Sequence, residues 1–189
     1  MYYASYGSGD PLLLVHRGFG ATGMFARLIP ALTATRRVIA VDLQAHGRTA
    51  DIDRPLRYES LGDDLVGVLD HLDLETAAIL GYSIGGGVAL RAALQHPDRV
   101  ERLVVVSAPY RSDGWHGEVR AGMTTVGSHA FEGMKATPMY ELYRQIAPRP
   151  EDFPVLMDKV GEMQRREYDW SDEVERTATS STPPSLPQR

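Results

Sequence analysis

The stretch Ala78-Ile79-Leu80-Gly81-Tyr82-Ser83-Ile84-Gly85-Gly86-Gly87 is a short apolar run that enters a Gly-x-Ser-x-Gly turn and opens into a helical pattern. A serine held at a sharp strand-to-helix elbow takes a strained, positive-φ conformation. Side chains two residues before and after it would then collide, so Gly81 and Gly85 present hydrogen where a Cβ would not fit. With 18 glycines in 189 residues the bare pattern is weak by itself. Its context carries more. An apolar strand must precede the turn and a helix must follow it, and Val88-Ala89-Leu90-Arg91-Ala92-Ala93-Leu94 does follow, halted before Pro97. Ser83 is therefore the candidate nucleophile. The competing reading is a glycine-rich turn whose serine only caps the helix.

Outward from the elbow, short leucine-rich or β-branched runs alternate with amphipathic segments, the pattern of a mostly parallel sheet flanked by helices. Strands are predicted at Leu12 to His16, Val38 to Asp42, Ala77 to Leu80 and Leu103 to Ser107. Each is continuously apolar, as strands covered on both faces require. Tyr2 to Tyr6 is predicted to add a short antiparallel edge strand. Between the strands, Phe25, Leu28, Ile29 and Leu32 share one helical face after a Thr22 cap. Leu61, Leu65, Val68, Leu69 and Leu72 do so after Ser60, whose Asp63 sits at the third position of a capping box. These helices are read as scaffold.

After Ser107-Ala108-Pro109 the alternation stops, and a helical region of about 65 residues is expected, without an obvious strand. Thr137 before Pro138 forms a cap and first-turn pair, with Met139, Leu142, Tyr143 and Ile146 on one face; a second helix carries Leu156, Val160 and Met163. Five of the seven methionines and both tryptophans, Trp115 and Trp170, fall here. They read equally as an adaptable apolar lid or as the core of a small helical subdomain. The division expected is a core over 1–109, a lid over 110–176 and a disordered Ser/Thr/Pro-rich tail over 177–189.

A chain of 189 residues, 43% hydrophobic, suffices for one sizeable core. The net charge of −5, with both signs interspersed, offers no basic stripe for nucleic acid and no polybasic membrane patch. With no cysteine there is no disulfide, thiolate nucleophile or Cys-based metal site. The N-terminus lacks the regions of a signal peptide and no later run is long enough to span a bilayer, so a cytoplasmic protein is expected. No histidine pair has helical ligand spacing and no cofactor motif occurs, so neither metal nor cofactor is predicted.

Taken together, the chain resembles the α/β-hydrolase family from Tyr2 to about Glu175. Three motifs carry the resemblance. They are Gly81-Tyr82-Ser83-Ile84-Gly85; Leu12-Leu13-Leu14-Val15-His16-Arg17-Gly18-Phe19-Gly20, similar to the family's His-Gly loop; and Val41-Asp42-Leu43-Gln44-Ala45-His46-Gly47-Arg48-Thr49, similar to its Asp-x-x-Gly-His-Gly turn. The resemblance implies that Ser83 Oγ attacks a carbonyl carbon of a small apolar acyl substrate. It implies an oxyanion held by the N–H of Ile84 and by one from Gly18 or Phe19. Arg17 and Ala45 stand where the family usually has glycine.

The family also places an acid and a histidine after later strands, and here the acidic stretch Asp169 to Arg176 gives way to the tail instead. A C-terminally truncated hydrolase lacking the last strands is the expectation, with triad acid and base unassigned. His16 and His46 read as structural, His71 and His96 end helices, His116 and His129 lie in the lid, and Asp113 reads as a solvated loop residue. Hydrolysis of an ester or similar acyl bond is thus expected to be impaired; the alternatives are a non-catalytic binding protein and a non-functional fragment. Loss of the last strands would leave 103–107 as an apolar edge open to self-association.

Overall fold

The computed structural model describes residues 1–180. Five strands form one sheet: β1 (Tyr3–Tyr6), β2 (Asp10–Val15), β3 (Arg36–Val41), β4 (Ala77–Tyr82) and β5 (Val100–Val106), in the order β1-β3-β2-β4-β5. Strands β2 to β5 are parallel and β1 lies antiparallel on β3, pairing Tyr3 with Val41 and Tyr6 with Val38. The expected mostly parallel sheet is therefore present, with the antiparallel strand at its edge. Alternation sorts the side chains onto two faces. Leu13, Val15, Ile39, Val41 and Ile79 join the larger core, while Leu12, Leu14, Val38, Ala40 and Ala78 join the smaller one.

The first helices are α1 (Ile29–Leu32), a single turn, α2 (Tyr58–His71) and α3 (Ile84–Gln95). α2 buries Leu61, Leu65 and Leu69 against Val88, Ala89 and Ala92 of α3, and each fully buried leucine contributes on the order of 2 kcal/mol. α2 starts earlier than predicted: its N-cap is Arg57, so Ser60 lies inside the helix and is not its cap. The buried ring of Tyr58 extends the apolar face by one turn and outweighs the local capping signal. Thr22 likewise begins a 3-10 turn, Thr22–Phe25, whose N-cap is Ala21.

β5 departs from the expectation of two covered faces. Along it Arg102, Val104 and Val106 are exposed, the two valines by 49% and 40%, and only the opposite face is partly covered.

Beyond β5 the described residues are helical: α4 (Gly117–Thr124), α5 (Phe131–Met134), α6 (Pro138–Ile146), α7 (Phe153–Arg165) and α8 (Ser171–Ser180). At α6, Thr137 Oγ1 accepts the Tyr140 N–H with Pro138 in the first turn, as its sequence predicts. Leu156, Val160 and Met163 of α7 are buried in the same core as α2 and α3. Three ion pairs fasten this region down: Lys159 with Asp51, Arg57 with Glu162, and Arg91 with Glu173. Trp170 meets Tyr58 edge-to-face and packs at a tilt on Tyr168, with ring centroids 5.3 and 4.5 Å apart. The expected tail begins inside α8, where Thr177 to Ser180 are helical; positions 181–189 lie outside the described residues. No helix among the described residues is long and apolar enough to cross a membrane.

Candidate active site

Ser83 links β4 to α3 with φ 55° and ψ −123°, the left-handed side of backbone space that an L-residue occupies at a cost of about 1–3 kcal/mol. Backbone bonds hold it there. Its N–H donates to Val106 O at 2.8 Å, and its carbonyl accepts from Gly86 and Gly87 at 2.8 and 3.1 Å. A Cβ on Gly81 would lie 2.1 Å from Gly85 O, and one on Gly85 would lie 2.4 Å from both Val15 O and His16 O. The glycines thus serve two different contacts: Gly81 admits the elbow itself, and Gly85 lets the elbow press on the end of β2.

Strain recurs along this edge of the sheet. Besides Ser83, the positive-φ non-glycine residues include Phe19, Ala45 and Ser107, each within a few residues of the C-terminal end of β2, β3 or β5. In parallel sheets, sites gather beyond the carboxyl ends of strands, and strained backbone gathers with them. The turn Arg17-Gly18-Phe19-Gly20 is closed by the Gly20 N–H donating to Arg17 O at 3.0 Å. A Cβ on Gly18 would come within 2.6 Å of Ile84 Cδ1, so the fold brings Gly18 against Ile84. Ile84 opens α3, and its N–H, at the first helical position, has no intrahelical acceptor. Arg17 turns toward the helical region, where Nη1 donates to Met139 Sδ of α6 at 3.2 Å. The turn closes without a glycine at 17.

Asp42, fully buried, organises the neighbouring loops. Its carboxylate accepts the Thr22 N–H at 2.6 Å and the Arg48 N–H at 2.9 Å, and its carbonyl accepts Thr49 Oγ1 at 2.6 Å. Asp42 was legible only as part of a motif, because its partners lie up to 20 residues away.

The Ser83 hydroxyl has no imidazole hydrogen-bonded to it among the described residues. His16 Nδ1 donates to Arg17 O at 2.7 Å while Nε2 accepts the Leu43 N–H at 3.1 Å. His46 Nδ1 donates to Gln44 O at 2.9 Å, and its buried Nε2 has no partner among the described residues. Burial pushes His16 down to about 4 and, with His16 beside it, His46 down to about 3, so both rings are neutral. His71 ends α2 and packs edge-on to Tyr3, and His96 Nε2 meets Asp63 Oδ1 at 2.8 Å. His116 is the N-cap of α4, His129 sits in the turn Ser128–Ala130, and Asp113 pairs with Arg111 at the surface. Among the described residues no three His, Asp or Glu side chains gather as a metal site. A cavity of about 810 Å³, lined by Tyr2, Tyr3, Arg48, Ile52 and Val68 among others, lies beside β1 and not at Ser83.

A family model described as the alpha/beta hydrolase fold matches residues 10–132. The chain is similar to a 2-hydroxymuconate semialdehyde hydrolase of Pseudomonas sp. (strain CF600), 39% identical over 106 residues, which are 54% of this chain and 38% of that one. It is similar to an sn-1-specific diacylglycerol lipase of Danio rerio, 36% identical over 104 residues, 53% of this chain and 32% of that one. The chain thus spans less than half the length of either curated relative. Among solved structures, a thermophilic esterase from Thermogutta terrifontis superposes with a TM-score of 0.69 at 25% identity, over 90% of this chain and 69% of that one. A hydrolase from Pseudomonas aeruginosa PA01 superposes with a TM-score of 0.67 at 25% identity, over 92% and 71%.

Proposed function

The chain belongs to the α/β-hydrolase-fold family, and from that premise we propose that Ser83 is its nucleophile, directed at the ester or similar acyl bond of a small apolar substrate. The observation that carries this reading is the backbone of Ser83. A non-glycine residue at φ 55° and ψ −123° costs stability, and at the junction of β4 and α3 it lifts one hydroxyl clear of the sheet edge. In the proposed reaction Ser83 Oγ bonds to the carbonyl carbon, the carbonyl π pair moves onto oxygen, and the hydroxyl proton leaves to a base. The Ile84 N–H, together with one from the turn at Gly18 or Phe19, would receive the oxyanion; losing one such donor costs about 3–4 kcal/mol of transition-state stabilisation.

Proton removal is the weak step. With no imidazole hydrogen-bonded to Ser83 among the described residues, acylation by this 189-residue chain should lose on the order of 10⁶ in rate, while oxyanion stabilisation alone sustains roughly 10³–10⁴ over water. The test is slow labelling by a fluorophosphonate, located by peptide mass spectrometry, with and without free imidazole as a replacement base. Labelling confined to Ser83, accelerated by imidazole and lost in Ser83→Ala is the expected result. Labelling spread over other residues and unchanged in Ser83→Ala would refute the assignment.

A further inference from the structure

We propose that Phe153, at the start of α7, is a positioning residue for the oxyanion donors of the turn Arg17-Gly18-Phe19-Gly20, acting through the ring of Phe19. The inference rests on the reading of Ser83 as nucleophile, which is what gives the turn an oxyanion to hold. It begins with a backbone problem. The bond from Gly20 N–H to Arg17 O makes Phe19 the third residue of a four-residue turn, and its φ is 56°. Glycine ordinarily takes that place, because a side chain there strains the backbone. A bulky residue stays in such a conformation only where its surroundings over-determine it.

Those surroundings come from the helical region. Phe153 is fully buried, and the rings of Tyr143, Tyr140 and Phe131 close round it with centroids 5.0, 5.1 and 6.1 Å away. α5, α6 and α7 thus meet at one ring. Phe19 joins the cluster from the sheet side, 5.7 Å from Phe153, with the buried His46 6.4 Å away on the same ring. Arg17 makes a second tie, its Nη1 donating to Met139 Sδ of α6.

Residues 17 and 19 therefore clasp the helical region on either side of Gly18, and Gly18 is the residue pressed against Ile84. The N–H groups offered to the oxyanion lie within this clasp. Leucine at 153 would keep the site apolar while removing the ring that meets Phe19. The strain at Phe19 would then favour relaxation of the turn, carrying its donors away from Ser83. Val160, also fully buried on α7 but two turns further on, provides the comparison for a side chain that only fills the core.

Two readouts separate the grip on the turn from its use. Amide exchange by NMR follows the Gly20 N–H, which closes the turn, relative to that of Leu14 in β2, which reports general loss of stability. Phe153→Leu should raise this ratio about tenfold, the weight of one aromatic pair, and Phe19→Leu should do the same; Val160→Ala should leave it unchanged. In the imidazole-assisted fluorophosphonate assay, Phe153→Leu should slow labelling of Ser83 by about tenfold or more. The double variant Phe19→Leu with Phe153→Leu should be no slower than the slower single, since both remove one contact. An exchange ratio unchanged in Phe153→Leu, a ratio raised equally by Val160→Ala, labelling of Ser83 unslowed in Phe153→Leu, or a double variant slowed by the product of the singles would each overturn the proposal. Wild-type labelling away from Ser83 would refute the nucleophile and with it the oxyanion role, while the exchange ratios would still decide whether Phe153 holds the turn.

Discussion

Acidification from pH 7 to pH 5 should cost this protein several kcal/mol, and two buried imidazoles are the reason. His16 and His46 titrate near the ordinary 6.5 when unfolded and near about 4 and about 3 when folded. The sign follows from proton uptake. Above pH 6.5 neither state binds the protons; below it the unfolded chain takes up two that the folded chain refuses until the pH reaches about 4 and then about 3. Stability is therefore full above 6.5 and falls as the pH drops through that window. At pH 5 the unfolded imidazoles are about 1.5 units below their titration point, so each site contributes a loss of about 2 kcal/mol and the pair about 4 kcal/mol. Against a typical total of about 5–15 kcal/mol the effect is large. Carboxylates contribute little there, because unfolded Asp and Glu titrate near 4. Urea unfolding followed by tryptophan fluorescence at pH 7, 6 and 5 measures the slope. His46→Gln, whose amide can still donate to Gln44 O, should halve it. A loss below about 1 kcal/mol between pH 7 and 5, or a slope unchanged in His46→Gln, would refute the reasoning.

Lys159→Met should destabilise the chain by about 3–5 kcal/mol, because it strands a carboxylate that is largely buried. The two side chains are only 18% and 11% exposed, and Lys159 Nζ also donates to Ile52 O and Arg54 O at 2.8 and 3.0 Å. Burial opposes ionisation of Asp51, but Lys159 and the Gln44 amide outweigh it and hold its carboxyl below the usual value. The urea midpoint reports the loss, and Asp51→Leu combined with Lys159→Met should recover most of it; a double variant as unstable as the single one would refute the pairing. Gly81→Ala should cost at least about 3 kcal/mol, since its methyl meets backbone and no flexible side chain can yield. A thermal transition for Gly81→Ala within a few degrees of wild type would show that the elbow relaxes.

What the sequence discloses follows the range of the interaction that fixes each feature. The strands were legible because continuous apolar runs such as Leu12 to Val15 are what two covered faces require, and the run is its own signal. The same signal misleads at β5, whose valines read alike whether a face is covered or bare. Ser60 reads as a cap because capping chemistry is local, whereas the burial of Tyr58 depends on Trp170 and Tyr168, more than a hundred residues on. Lys159 and Asp51, separated by 108 positions, leave no trace in either neighbourhood. The elbow belongs at the legible end of this range: a steric rule within five residues, Gly81 to Gly85, identifies Ser83 and its strain. A base obeys no such rule. It is defined by which distant loop returns to the hydroxyl, and the six histidines show how little identity says about that. Two are buried as neutral supports, two close helices, and two lie in the helical region beyond β5. Elbow and base are thus written in different registers of the chain, so a sequence can mark the elbow at Ser83 while leaving a base to the path of the backbone.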